Sequence, residues 1–410
     1  MKTWMISIIF LALVCPTLWG QQADVLLVRL AVSGNQIAEK TLSGGARPWR
    51  LGAMPDGRLI FTDSSDAANN EVFIADVSVN PPVLTKVTDT AALKAKVDAE
   101  NGEDPAPTVM TPQTVDVDED GHIIILTDGG GEELAYLFRV DPRSGEIALI
   151  SGLDRPFEPI SPVSSIEGNR SMAVLGTTAY ILLNDRFGAF YGDSIVKIDV
   201  HAPDGGRTAA TELVSQTQLE EVIGIGQDID LNDAAVWSSR RTLVVINSGR
   251  AQATDDLLEV DPETGKVSLL VAATDIEADL GILDVGYSGV DVGPNDAIYL
   301  LNTFGTTGHS ATRGIIEIRN AGEGKGEAVL FASEAEILAD PSIRNRAGNP
   351  VSRFFHQNAG FAVSPVTGEV FFVDSSGPTQ TNGIIGVRRV KGTEPPPGGY
   401  GASKHHGGRS

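Results

Sequence analysis

The sequence predicts an all-β fold, a six-bladed β-propeller whose N-terminal strand closes the last blade, with short helical insertions between blades. Three observations predict it. One strand–turn–strand phrase recurs six times along the chain. A second hairpin phrase follows most of the copies. No linker rich in Pro, Gly or Ser divides the 410 residues into separate cores.

The first phrase is an apolar strand, a turn built on Gly, Asp or Asn, and a second strand of β-branched and aromatic residues ending on Asp or Asn. Its clearest copies are LGAMPDGRLIFTDSS (51–65), VDVDEDGHIIILTDGG (115–130), VDVGPNDAIYLLNTFG (290–305) and FAVSPVTGEVFFVDSSG (361–377). Looser copies are MAVLGTTAYILLNDR (172–186) and AAVWSSRRTLVVINSGR (234–250). Asp56-Gly57, Asp120-Gly121 and Thr367-Gly368 suit short hairpin loops. The second phrase appears as YLFRVDPRSGEIALIS (136–151), LLEVDPETGKVSLLV (257–271) and IIEIRNAGEGKGEAVLF (315–331). Asp-Pro-x-x-Gly turn chemistry closes two of these hairpins. Two hairpins make one four-stranded blade.

The last copy is followed by a single clear strand, 383–390. The segment 25–42 supplies what is missing, so first and last strands share a blade and the ring has no long free edge. The excess over a compact blade lies in 91–107, 218–228 and 333–348. The first and third of these have helix-forming composition. A seven-bladed ring would need a blade within 88–111, which has too few β-formers.

The ends of the chain read differently. Residues 1–20 carry Lys2, an apolar run from Ile6 to Val14, and a small residue, Gly20, suited to cleavage. This is the pattern of an export signal, too short to span a bilayer as a permanent helix. The propeller is assigned to 21–392, and 393–410 reads as a disordered tail. Cys15, the only cysteine, lies in the signal, so the mature chain has no disulfide or thiolate chemistry. A secreted or periplasmic location follows. The formal charge of −23 argues against nucleic acid and against an anionic membrane surface. Small molecules, glycans or envelope proteins are the partners left open, with no transmembrane anchor.

The blade phrases resemble the six-bladed propellers of the NHL-repeat and gluconolactonase (regucalcin-like) superfamily. The resemblance covers nearly the whole mature chain and rests on phrases such as Pro55-Asp56-Gly57 through Asp63. It implies architecture, and it raises a metal-assisted lactonase activity with one divalent ion over the central channel. The family's ligand set carries over poorly. Asn232-Asp233-Ala234-Ala235-Val236-Trp237 resembles the asparagine-bearing strand one residue out of register, with Asp233 at the matching place. Ser288 stands where the family has Asp, and Pro48-Trp49-Arg50 offers no Glu.

Loops entering the inner strands and leaving the second strands surround one mouth of the channel. The strand-end residues Asp63, Asp128, Asn184, Asn247, Asn302 and Asp374 would converge there, with Arg50 beside them, as a ligand-binding ring. The same residue types also cap strand ends through side-chain to backbone hydrogen bonds. Asp233, Asn232 and Asp63 are the candidate ligands for one divalent cation, Ca²⁺ or Mg²⁺. His356 and Asp233 are the candidate catalytic groups. His309 also falls on the mouth side, whereas His122 and His201 fall in turns away from it. Asp116, Asp118 and Asp120 begin like a calcium loop, but Thr127 stands where the bidentate Glu belongs. Two functions stay open: an exported binding or scaffolding propeller acting through the mouth, and a divalent-metal-dependent hydrolase or lactonase. Oxygen donors sharing one ion favour the second. Side chains turned back onto loop backbone favour the first.

Overall fold

The computed structural model describes residues 24–66, 68–101, 110–128, 135–151, 169–183, 193–205, 208–224, 229–248, 255–281, 285–303, 313–322, 324–351, 360–375 and 379–390. Residues 28–388 form one compact unit. Residues 1–27 and 389–410 group as a second, of which only 24–27 and 389–390 are described. The export signal and the tail therefore lie outside the described residues. Among the described residues no helix is long and apolar enough to cross a membrane.

The fold is a six-bladed β-propeller, each blade a four-stranded antiparallel sheet. Strand β1 (Val25–Val32) and helix α1 (Gly34–Ala38) come first. Blade 1 is β2 (Pro48–Ala53), β3 (Leu59–Asp63), β4 (Glu71–Asp76) and β5 (Val83–Asp89), followed by α2 (Thr90–Asn101). Blade 2 is β6 (Thr111–Val117), β7 (Ile123–Asp128), β8 (Leu137–Val140) and β9 (Ile147–Ser151). Blade 3 is β10 (Asn169–Leu175), β11 (Thr178–Leu183), β12 (Ser194–Asp199) and β13 (Thr211–Val214), followed by α3 (Gln216–Ile223). Blade 4 is β14 (Leu231–Trp237), β15 (Thr242–Asn247), β16 (Leu257–Val260) and β17 (Val267–Val271), followed by α4 (Ala273–Leu280). Blade 5 is β18 (Tyr287–Val292), β19 (Ile298–Asn302), β20 (Gly314–Gly322) and β21 (Lys325–Ser333), followed by α5 (Glu334–Leu338). Blade 6 is β22 (Phe361–Val363), β23 (Val370–Asp374) and β24 (Gly383–Val390), with β1 as its outer strand.

The core lies between blades, and the period of two along each strand explains why. On β3, Leu59 and Phe61 pack toward blade 6 while Ile60 packs toward blade 2. On β7, Ile123 and Ile125 face blade 1 while Ile124 and Leu126 face blade 3. A middle strand apolar on both faces can bury both only where another blade stands on each side. Leu93 and Val97 of α2 join the core between blades 1 and 2.

The segment 25–42 is not strand throughout, contrary to expectation. The strand stops at Val32, where Ser33 opens α1 with a capping box closed by Gln36. The same device opens α3 (Ser215, Gln218) and α5 (Ser333, Glu336). Each of these helices follows the outer strand of a blade. The middle insertion, 218–228, begins with helical residues of α3, beyond the two helical insertions expected.

The closing strand is clasped by Arg29. Its Nε and Nη2 donate to the two carboxylate oxygens of Glu369 at 2.7 and 2.8 Å, and Nη1 donates to the Val77 carbonyl of blade 1 at 2.9 Å. A fork–fork pair that also reaches the neighbouring blade holds both sides of the seam. The Arg29→Ala variant is expected to lose about 1–2 kcal/mol, since Arg29 is one-third exposed. Urea unfolding checks this, and an unchanged midpoint would show that the clasp does not hold the ring closed.

Candidate functional site

The inner strands carry the site. In blades 1 to 5 each inner strand slips register near its start, between Pro48 and Leu51, Pro112 and Thr114, Asn169 and Met172, Leu231 and Asp233, and Tyr287 and Gly289. A bulge re-aims the side chains that follow it. The result is a channel cavity of about 190 Å³ lined by Arg50, Asp116, Ser171, Asp233, Asp291 and neighbouring residues.

Three carboxylates and one guanidinium converge there. Asp116 and Asp291 are the penultimate residues of β6 and β18, and Asp233 is the third residue of β14. Each ties its blade to another. Asp116 Oδ2 accepts from the Val174 amide of blade 3 at 2.7 Å. Asp291 Oδ2 accepts from the Val363 amide of blade 6 at 2.6 Å. Asp233 Oδ2 accepts from the Val290 amide of blade 5 at 3.0 Å, and its Oδ1 accepts from the Ser171 hydroxyl of blade 3. Arg50, buried, donates from Nε to the Gln113 carbonyl at 2.9 Å.

The carboxylates lie deep in the ring, yet each touches the channel space. Burial pushes the Asp116 and Asp291 carboxyls up to about 7 against the pull of their amide donors. Each is pushed further by neighbouring carboxylates: Asp233 and Asp118 for Asp116, Asp116 and Asp233 for Asp291. Burial also raises Asp233, opposed by Ser171, the Val290 amide and the Arg50 charge. The channel thus holds carboxyls that take up protons near neutrality.

The strand-end ring behaves differently. Asp63 accepts from the amides of Arg47 at 2.7 Å and Ser65 at 3.0 Å. Asn247 Oδ1 accepts from the Asp230 amide at 2.8 Å, and Asn302 Oδ1 from the Gly286 amide at 3.0 Å. Asp374 Oδ2 accepts from the amide and hydroxyl of Thr381 at 2.7 and 2.9 Å. These residues latch the loops they adjoin. Asp63, Asn247 and Asn302 hold the segment entering their own blade's inner strand, while Asp374 holds the approach to β24. Asp128 ends β7 opposite Thr111. Asn184, His309 and His356 lie outside the described residues. Of the candidate metal ligands, Asp233 faces the channel, Asn232 donates to the Ser248 carbonyl at 3.5 Å, and Asp63 is held by its loop. The structure does not bring Asp63 and Asp233 onto shared partners.

No protein-family model and no curated protein matches the sequence. Solved structures do. A protein of unknown function from Bacteroides thetaiotaomicron has a TM-score of 0.53 at 10% identity, covering 90% of this chain and 77% of that one. The calcium-binding protein regucalcin from Agrobacterium tumefaciens gives 0.43 at 13%, covering 85% and 92%. The PQQ-bound aldose sugar dehydrogenase of Streptomyces coelicolor gives 0.46 at 11%, covering 90% and 99%. The likeness is one of fold. A shared fold carries no function by itself.

Asp233 and Arg50, named from the sequence, line the channel, and Asp116 and Asp291, not named as channel residues, line it as well. Their signal was the shared phrase Val-Asp-Val, at 115–117 and 290–292. A carboxylate between two valines on an inner strand points to the opposite blade face from those valines, toward the next blade's inner strand, and the space left between inner strands is the channel.

Proposed function

We propose that this chain is an exported binding protein that takes a small polar ligand, bearing hydroxyl or ammonium donors, in its central channel. One observation carries the reading: three carboxylates and a guanidinium face a single cavity, while Asp63, Asn247, Asn302 and Asp374 each hold a nearby loop. Asp116 and Asp291 each accept from two amides, and Asp233 from the Ser171 hydroxyl and the Val290 and Ala234 amides, whereas a carboxylate has about four acceptor sites. Acceptor capacity is therefore left for a ligand. The cavity has room for about six water-sized groups. A pocket of protonatable carboxyls beside a fixed cation suits a polyhydroxylated molecule or a small amine. Its acidic balance does not suit an anion.

Calorimetric titration of the purified chain against monosaccharides, polyols and small amines tests this, with Asp233→Asn and Arg50→Met as variants. One class is expected to bind at 1:1. Loss of a charge-assisted hydrogen bond in either variant is expected to weaken binding about 10- to 100-fold. Two results would count against the proposal. One is no binding by any class. The other is a melting temperature raised by Ca²⁺ or Mg²⁺, lost in Asp233→Asn and accompanied by lactone hydrolysis, which would establish the metal-dependent hydrolase instead.

A further inference from the structure

Outside the channel lining, three side chains separated by up to 83 positions in sequence meet on one oxygen. Asp118 sits in the β6–β7 turn with His122 just beyond it. His201 sits in the turn between β12 and β13 of the next blade. In an antiparallel blade the turns joining strands 1–2 and 3–4 share an edge, opposite the loops that enter the inner strands. The cluster is therefore at the far end of the ring from the mouth, spanning blades 2 and 3.

Its geometry is that of a ligand set. Asp118 Oδ2 stands 3.0 Å from His122 Nδ1 and 3.1 Å from His201 Nε2. All three atoms lie within 4.8 Å of one another, and among the described residues no other group of three His, Cys, Asp or Glu side chains does this. A tetrahedral Zn²⁺ with bonds near 2.0–2.2 Å separates its ligand atoms by about 3.3 Å. Two edges of the triangle already stand near that length. A small rotation of either imidazole, each about one-third exposed, closes the third edge.

The site is also held in shape before any ion arrives. Asp118 is fully buried, and its other oxygen, Oδ1, accepts from the amides of Asp120 at 3.0 Å and His122 at 2.9 Å. The hairpin backbone thus orients the carboxylate and leaves Oδ2 pointing at the imidazoles. Such outer hydrogen bonds are what fix a metal-ligating carboxylate. The His201 turn is pinned to blade 2 and to α2. Arg139 Nη1 donates to the Val200 carbonyl at 2.6 Å, Asp204 Oδ1 accepts from the Leu149 amide at 2.8 Å, and Asp204 pairs with Lys96 at 2.6 Å. Asp120 Oδ2, exposed and 3.6 Å from His201 Nε2, is placed to serve as a fourth ligand.

We propose that Asp118, His122 and His201 form a Zn²⁺ site clasping blades 2 and 3 on the face opposite the channel mouth. Two imidazoles and one carboxylate select a borderline ion such as Zn²⁺ over Ca²⁺ or Mg²⁺, which prefer all-oxygen shells.

The test is equilibrium titration of the chelator-stripped full chain with ZnCl₂, following uptake and melting temperature. His405→Ala/His406→Ala serves as background, so that the C-terminal histidines contribute nothing. One Zn²⁺ per chain is expected, with a raised melting temperature and no comparable effect of CaCl₂ or MgCl₂. His122→Ala and His201→Ala are each expected to weaken uptake at least 10-fold. Asp118 is left intact because it caps the hairpin. Co²⁺ in place of Zn²⁺ should give the visible absorption of a tetrahedral site, lost in His201→Ala. No stoichiometric uptake by the parent chain, or uptake unchanged in both histidine variants, would overturn the proposal. Asp233→Asn should leave Zn²⁺ uptake unchanged, so this site and the channel reading stand or fall separately.

Discussion

The melting temperature is expected to fall as pH rises from 5 to 8, by about 3–5 °C from Asp291 alone, in buffer containing a chelator. The sign follows from the direction of its pKa. Burial lifts Asp291 from 3.8 to about 7 in the folded chain. Between those values the folded state keeps a proton that the unfolded state has released. Stability therefore declines as pH climbs through that window and levels off above it. A full shift would be worth up to about 4 kcal/mol, less for the water the channel admits. Asp374, raised to about 6 by burial, acts in the same direction. Carboxylates held below their ordinary value, such as Asp89 and Asp204, lose stability only as pH falls below 4, so they do not shape this window. Asp291→Asn cannot ionise, so its melting temperature should vary less with pH. It should start lower at pH 5, because one of the Val292 and Val363 amides loses its acceptor, at a cost of about 1–3 kcal/mol. Scanning calorimetry at several pH values decides it. Parallel curves for parent and variant would show that Asp291 does not carry the dependence.

What the sequence made legible were features set by local rules. Asp56-Gly57 and Asp120-Gly121 announce hairpins because Gly57 and Gly121 sit at φ of 87° and 84°, where a side chain is penalised. The apolar second strands announce burial on both faces, and six of them announce six blades. Other features were legible only in part. Ser-x-x-Gln at 33 and 215 and Ser-x-x-Glu at 333 are capping boxes that mark where an outer strand gives way to a helix, yet 25–42 reads as strand from its apolar start. The strand-end Asp and Asn residues were visible, but their partners were not. Whether Asn302 turns to the Gly286 amide or to a ligand depends on how close the incoming loop passes, which no local rule sets. The meeting of His122 with His201 depends on blade-to-blade packing, so spacing could not reveal it.

Gly360→Ala is expected to destabilise the ring by about 2–4 kcal/mol, although it adds a single methyl group. At Gly360 an added Cβ would stand 2.6 Å from the Leu51 amide nitrogen, and 2.8 Å from both the Arg50 carbonyl carbon and Leu51 Cβ. Gly360 donates its amide to the Trp49 carbonyl at 2.9 Å, so blades 6 and 1 are joined backbone to backbone beside the channel. The obstacle is main chain, which cannot swing aside as a side chain can. Relief requires the two inner strands to separate, and in a closed ring that displacement is shared with the other seams. Its consequence reaches the site, because Arg50 lies on the strand that must move. Gly121→Ala is the informative control: nothing lies within 4 Å of its added Cβ, and its cost is only that of a side chain at positive φ, about 1 kcal/mol. Urea unfolding of the two variants should rank Gly360→Ala well below Gly121→Ala. Equal losses would mean that the seam between blades 6 and 1 can widen freely, and that close packing at the axis is not what holds the channel residues in place.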